Sequence, residues 1–245
     1  MQKRPVIDII YENSDIIAVN KPAGLVVIPD RFGFEPYILK EVLEAQTGKP
    51  LLLVHRLDKT TSGVMLFAKN TEAQRELSRL WEDNLVHKEY RVLVDGYFSY
   101  DTFRADYPLS EGRRGKMQVE ESGKPSSTEF TTLERFRDYT LLKAVLKTGR
   151  THQIRIHLSY LGTPVLADHL YGFDRPLLLS SLKGRKYRPS HSKEEKPLIE
   201  RVALHSFYTS LVWDNVPLEF TAPLPKDFNA VLTQLRKHNK LISLL

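Results

Sequence analysis

Two apolar runs, Leu51–Val54 and Val64–Ala68, are too short for helices and lie either side of a polar insert. Each reads as a buried strand, so the residues between them are anchored at both ends. A surface hairpin would need only a turn there. Instead the chain places His55, Arg56, Asp58, Lys59, Thr60, Thr61, Ser62 and Gly63. The bland reading is an Asp that caps a turn, with Arg56 as a surface ion pair. The alternative is a functional acid, because the hydroxyls and free N–H groups that follow could orient a carboxylate or bind a ribose-phosphate.

The rest of the chain reads as short strands interleaved with a few helices. Residues 7–20 predict a hairpin around Asn13-Ser14-Asp15, and residues 36–47 a helix with Ile38, Val42 and Leu43 at helical spacing. Over 71–84, Thr71 is expected as N-cap with Gln74 three residues on, and Leu77, Leu80 and Trp81 form the apolar stripe. Tyr90, Val92 and Val94 alternate along a strand over 88–98. A second hairpin is expected around Arg137-Asp138, then a helix started by Thr151 and stopped by Gly162. Residues 173–201 carry Pro, Ser and many charges and predict a long exposed basic loop insertion. A C-terminal helix turns Phe228, Val231, Leu232 and Leu235 inward. Without regular βαβ alternation or a linker, the expectation is one α+β domain over 1–245 with a mainly antiparallel mixed sheet.

Cysteine is absent, which excludes disulfides, thiol nucleophiles and cysteine-ligated metal centres. No GxGxxG or P-loop pattern occurs, so no nucleotide cofactor held by a glycine-rich turn is expected. His152 and His157 are not at i, i+4 spacing, so no metal site is expected there. No apolar run reaches the ~18 residues of a membrane span, and no signal-length apolar core opens the chain; the cytoplasm is the expected compartment. The net charge of +6 is modest, but its distribution is uneven. Tyr139 to Ala167 contains no Asp or Glu, yet holds Lys143, Lys147, Arg150 and Arg155. Lys183, Arg185, Lys186, Arg188, Lys193, Lys196 and Arg201 crowd the proposed insertion. Such clustering points to a polyanion, with nucleic acid the first candidate.

Two further features join the Asp58 insert. In Thr148-Gly149-Arg150-Thr151-His152-Gln153-Ile154-Arg155, a cation at a helix start opposes the helix dipole unless it serves a ligand, so the segment resembles a phosphate-binding helix N-terminus. Arg155 lies on the helix body, and a solvent-facing charge is its plain alternative. Tyr90 faces inward on its strand; core packing is the ordinary role, and a platform for a base the functional one.

Taken together these residues resemble the pseudouridine synthases of the RluA type, over about Ile10 to Phe228. The parts occur in family order: Lys21-Pro22-Ala23-Gly24, HRLDKTTSG at 55–63, Ala68-Lys69, Lys88-Glu89-Tyr90 through Gly96, Gly123-Lys124-Pro125, KTGRTHQIRIH at 147–157, Leu204-His205 and Ala222-Pro223-Leu224-Pro225. The chain departs from the pattern at Ile28-Pro29, at Val92 and at Ala167-Asp168, and keeps Tyr171-Gly172. An N-terminal S4 domain is not expected, since the resemblance starts within ten residues of Met1.

The resemblance implies a sheet divided around a catalytic cleft and flanked by helices. It also implies that uridine in RNA, in a ribosomal or transfer RNA stem-loop, is isomerised to pseudouridine without a cofactor, by base flipping, glycosidic cleavage and C–C reattachment. Asp58 matches the catalytic acid, as nucleophile or base; attack at C1′, attack at C6 and removal of a ribose proton all stay open. Arg155 matches its cationic partner, and Tyr90 the residue stacked on uracil. Leu204 is expected to line the opposite face, and Arg56 to fill the space left by the flipped base. Arg150 and Lys147 are expected to meet phosphates, with His55, Thr61 and His152 as further RNA contacts. A monomer is expected. The competing readings are a non-catalytic RNA-binding protein of the same fold and a glycosidic hydrolase. Against the first stands the joint presence of Asp58, Tyr90 and Arg155; against the second, the lack of a paired acid near Asp58.

Overall fold

The structure, a computed structural model, describes residues 4–29, 35–112, 115–173, 175–188 and 194–241. The backbone groups into two compact units, residues 1–90 with 205–223, and residues 91–204 with 224–245.

In the first unit, β1 (Asp8–Glu12) and β2 (Ile16–Lys21) form the expected hairpin. Its turn is closed by Asn13, whose Oδ1 accepts the Asp15 and Ile16 N–H groups at 2.9 and 2.7 Å. β2 lies antiparallel to β4 (Ser62–Ala68), every residue of which is buried, and β4 takes the short β3 (Leu52–Leu53) antiparallel as well. β11 (Leu204–Trp213) runs parallel to β4, pairing His205 with Ser62 and Ser206 with Gly63. The close approach requires glycine: Gly63 has φ +114°, and a Cβ there would collide with the Ser206 carbonyl. β12 (Val216–Thr221) folds back on β11.

Helix α1 (Leu39–Thr47) buries Leu39, Val42 and Leu43 and ends at Gly48, which adopts the left-handed conformation at φ 70°. Helix α2 (Thr71–Glu82) lays Ala73, Leu77 and Leu80 against Ile16, Ala18, Val64, Leu66 and Ala68. Burying each such leucine contributes about 1.5–3 kcal/mol. Its cap differs from expectation by one residue: Asn70, not Thr71, accepts the Ala73 N–H, at 2.8 Å. Asn70 is held for this by Asp15, whose Oδ1 receives its Nδ2–H at 2.8 Å.

Strand β5 (His87–Asp95) carries the chain into the second unit. There β10 (Tyr139–Leu146), β9 (Thr128–Arg135) and β6 (Thr102–Ala105) pair antiparallel in that order. A separate ribbon joins β7 (Leu109–Glu111) to β8 (Met117–Val119). Helix α3 (Gln153–Tyr160) starts two residues after Thr151, where the sequence places its start. Gln153 holds the entry instead: its Oε1 accepts the Thr148 hydroxyl and the Arg150 N–H, and its Nε2 donates to Ser127 O and Thr128 Oγ1, all within 3.0 Å. Gly162, at φ 78°, follows the helix as expected.

The 173–201 segment is not simply an exposed loop. It contains helix α4 (Leu179–Lys183) and a 3-10 turn at Gly184–Lys186. Leu177, Leu182 and Ile199 are buried anchors, and Leu198 N–H donates to Leu177 O at 2.8 Å. Lys193 of the basic run lies outside the described residues. Helix α5 (Lys226–His238) buries Phe228, Val231, Leu232 and Leu235 as its periodicity requires. The architecture is thus the expected α+β arrangement, a mainly antiparallel sheet flanked by helices. Among the described residues no helix is long and apolar enough to cross a membrane.

Candidate active site

Asp58 sits half-buried on the loop between β3 and β4. That loop is gripped from β2 by Lys21, a fully buried residue whose Nζ lies 2.8–3.2 Å from the carbonyls of Pro22, Asp58, Lys59 and Thr61. An ammonium has three N–H donors, so the four carbonyls share them and offset the desolvation of the charge. Gly24 N–H adds a bond to Lys59 O at 2.8 Å, and Thr61 N–H closes the turn on Asp58 O at 3.1 Å. The Lys21-Pro22-Ala23-Gly24 turn therefore fixes the backbone from which Asp58 projects.

Tyr90, on β5, is buried as its strand pattern predicts. Burial pushes its phenol up to about 12, opposed by a hydrogen bond with the Ser206 side chain and reinforced by the negative charge of Asp58. The phenol is therefore protonated at neutral pH. Behind it, His205 is buried between Ser62 Oγ on Nδ1 at 2.9 Å and Ala222 O, which accepts from Nε2 at 3.0 Å.

His55 and Thr61 belong to the framework of this loop rather than to its surface. The His55 ring stacks on Trp81 at 4.3 Å, and its Nε2 accepts the Leu66 N–H at 3.0 Å. Loss of solvent, with Lys88 nearby, lowers its pKa to about 3, so the ring is neutral and tied to β4. Thr61 is buried, and its hydroxyl has no hydrogen-bond partner among the described residues. Arg56, between them in sequence, is exposed. The unfolded chain protonates His55 near 6.5, whereas the folded one resists until about 3. Stability present above about pH 6.5 is thus lost as pH falls toward 3. Between about pH 6.5 and 4.5 the loss from this group should approach about 2–3 kcal/mol. Denaturant melts should show a flatter acid limb for His55→Gln than for the wild type.

In the second unit Arg155 is buried at 6% exposure, which overturns the solvent-facing alternative for it. Six consecutive residues of α3, Gln153 to Leu158, are buried. The Arg155 guanidinium makes a two-pronged pair with Asp168, Nε–Oδ2 at 2.7 Å and Nη2–Oδ1 at 2.8 Å. Asp168 is wholly buried and also accepts the Leu170 and Tyr171 N–H groups. Burial pulls its carboxyl upward, but the Arg155 hydrogen bonds and charge, with those N–H groups, hold it below the ordinary carboxylate range. Tyr171 lies against the same guanidinium, 5.1 Å from its ring centroid.

The other expected contacts divide by exposure. Arg150 is exposed, its Nε 3.4 Å from Pro125 O. Lys147 is half-exposed and pairs with Glu129 at 2.9 Å. His152, at φ 56°, hydrogen-bonds the Tyr171 hydroxyl through Nδ1 at 3.0 Å. Leu204 is buried at the start of β11. Lys21, Asp168, Tyr171 and Ser206 were not singled out as site residues by sequence reasoning. For Asp168 a signal existed: it is the first acid after the acid-free run of 139–167.

The model of the RNA pseudouridylate synthases matches residues 15–160, a span that contains Asp58, Tyr90 and Arg155. The chain belongs to that family. It is 34% identical over 247 residues to the ribosomal large subunit pseudouridine synthase D of Xylella fastidiosa, covering 96% of this chain and 71% of that one. It is 41% identical over 193 residues to an uncharacterized RNA pseudouridine synthase of Aquifex aeolicus, covering 73% of this chain and 61% of that one. Among solved structures, human RNA Pseudouridylate Synthase Domain Containing 4 matches with a TM-score of 0.73 at 26% identity, covering 94% of this chain and 93% of that one. Pseudouridine synthases are isomerases that act on RNA, and this chain has that activity and that partner.

Proposed function

We propose that this protein converts uridine of large-subunit ribosomal RNA to pseudouridine, with residues 1–245 acting as a single catalytic domain and Asp58 as its nucleophile or base. The observation that carries the site assignment is the pairing of a backbone-caged Asp58 with a buried, protonated Tyr90 beside it. The reaction breaks the N1–C1′ bond and forms C5–C1′; C5 loses its proton to solvent and N1 gains one, so nothing is oxidised. A carboxylate nucleophile or base divides that exchange into easier steps.

Tyr90 stacks on the uracil, and Leu204 keeps water from the intermediate. Arg155 matches the cationic residue of the family, and its guanidinium is held in place by Asp168. The target base must leave its stack, which costs a few kcal/mol, and exposed Arg56 fills the vacated space. Arg150 and Lys147 contribute phosphate contacts that weaken with salt; Lys147 must exchange Glu129 for phosphate to do so. The ribosomal assignment is supported by the names of the relatives, several of which are ribosomal large subunit synthases.

Chemical mapping of pseudouridine across total RNA, with and without the protein, tests the reading. New pseudouridine in large-subunit RNA is the expected result. Modification confined to transfer RNA would overturn the substrate, and release of free uracil would overturn the isomerase in favour of a hydrolase.

A further inference from the structure

Tyr171 makes contacts on every side that the catalytic reading leaves unused. Its ring lies against the Arg155 guanidinium, and the Lys116 ammonium lies 5.1 Å from the same ring. Its hydroxyl accepts the Met117 N–H at 3.2 Å and hydrogen-bonds His152 Nδ1 at 3.0 Å. Its own N–H donates to Asp168 Oδ1 at 3.1 Å, and its carbonyl accepts the Ser159 hydroxyl at 2.7 Å. Lys116 and Met117 belong to the β7–β8 ribbon, which forms its own two-stranded sheet apart from β6, β9 and β10. One aromatic side chain thus ties that ribbon to the guanidinium and to the helix entry where His152 holds a left-handed backbone. A non-glycine residue in that conformation is kept there by its surroundings, and the Tyr171 hydroxyl is one of the groups that keep it.

We propose that Tyr171 is a positioning residue that latches the β7–β8 ribbon to Arg155, so that RNA engaging the ribbon sets the guanidinium in its working position. The proposal rests on the reading of Arg155 given above. Lys116 makes no ion pair with an acid among the described residues, which leaves its charge for an RNA phosphate. Ring and hydroxyl have separable tasks: the ring packs the guanidinium, and the hydroxyl holds the ribbon's backbone.

The test compares Tyr171→Phe with Tyr171→Leu in the full chain. Tritium release is read from an in vitro transcribed large-subunit rRNA labelled at uridine C5, and Met117 amide exchange is read without RNA. For Tyr171→Phe, Met117 exchange should rise at least about fivefold, and KM should rise by more than the saturating rate falls. Tyr171→Leu should release tritium at least about tenfold more slowly than Tyr171→Phe at saturating RNA and equal folded fraction. Met117 exchange within twofold of wild type in Tyr171→Phe would overturn the latch. Equal saturating rates in the two variants would overturn the coupling to Arg155. If the wild type itself releases no tritium, the substrate reading fails instead, and amide exchange still decides whether the latch exists.

Discussion

Asp58→Asn is expected to abolish pseudouridine formation, with a loss on the order of 10⁴-fold or more, as for the nucleophile of a catalytic group that acts as a unit. RNA affinity should stay within a few-fold of the wild type. Asparagine keeps the size and shape of the side chain. The Lys21 cage binds the carbonyl of residue 58, not its carboxylate, so the loop should keep its course. What disappears is the negative charge, and with it the capacity to attack carbon or take a proton. The same loss has a second signature at Tyr90. Asp58 helps raise that phenol, so its titration should move down in the variant. Tritium release from C5-labelled RNA measures the first effect, and ultraviolet titration of tyrosine the second. Retained turnover with a displaced phenol would remove Asp58 from the chemistry while leaving its proximity to Tyr90 intact.

Asp168→Asn should be strongly destabilising. It leaves the Arg155 guanidinium buried without its counter-charge, a situation that costs about 3–5 kcal/mol when one member of a buried pair is removed. The pair is two-pronged and Asp168 is fully enclosed, so water cannot easily take the carboxylate's place. Because the folded carboxyl is held low, this stabilisation is present above the ordinary value of 3.8 and fades as pH falls below it. Denaturant unfolding at neutral pH measures the loss. Stability and catalysis can be separated with Arg155→Met combined with Asp168→Leu. Replacing both charges with apolar groups should recover much of the stability, yet tritium release should remain abolished. A stable double variant that still forms pseudouridine would show that Arg155 serves the fold alone.

These two sites differ in how far they could be read in advance. The anchored loop of Asp58 and the burial of Tyr90 were legible because their signals are local, whereas the roles proposed for them come from the family resemblance. An acid between two buried apolar runs, and an inward tyrosine on an alternating strand, each depend on a few consecutive residues. The hairpins around Asn13 and Arg137, helix α2 and helix α5 were legible for the same reason. The cap of α2 fell one residue from its expected place because Asn70 and Thr71 can both cap; Asp15, fifty-five residues away, holds Asn70 in that role. In 173–201 the density of charge concealed three buried anchors, Leu177, Leu182 and Ile199, whose irregular spacing matches no helix or strand period.

Helix α3 shows where periodicity ends as a guide. With Gln153 to Leu158 all buried, no polar face remains to tell Arg155 from a surface charge. Its partner lies thirteen residues on, past the Gly162 turn, and the Lys21 ammonium reaches a loop thirty-seven residues away. Residue order alone specified the hairpins around Asn13 and Arg137, helices α1, α2 and α5, the anchored loop of Asp58 and the family pattern, because apolar period and turn chemistry act over a few bonds. The carbonyl cage, the buried ion pair and the Tyr171 contacts arose only when strand register and helix packing brought distant segments together. Desolvating a charge is costly enough that each buried ion must find its partners wherever the folded chain places them.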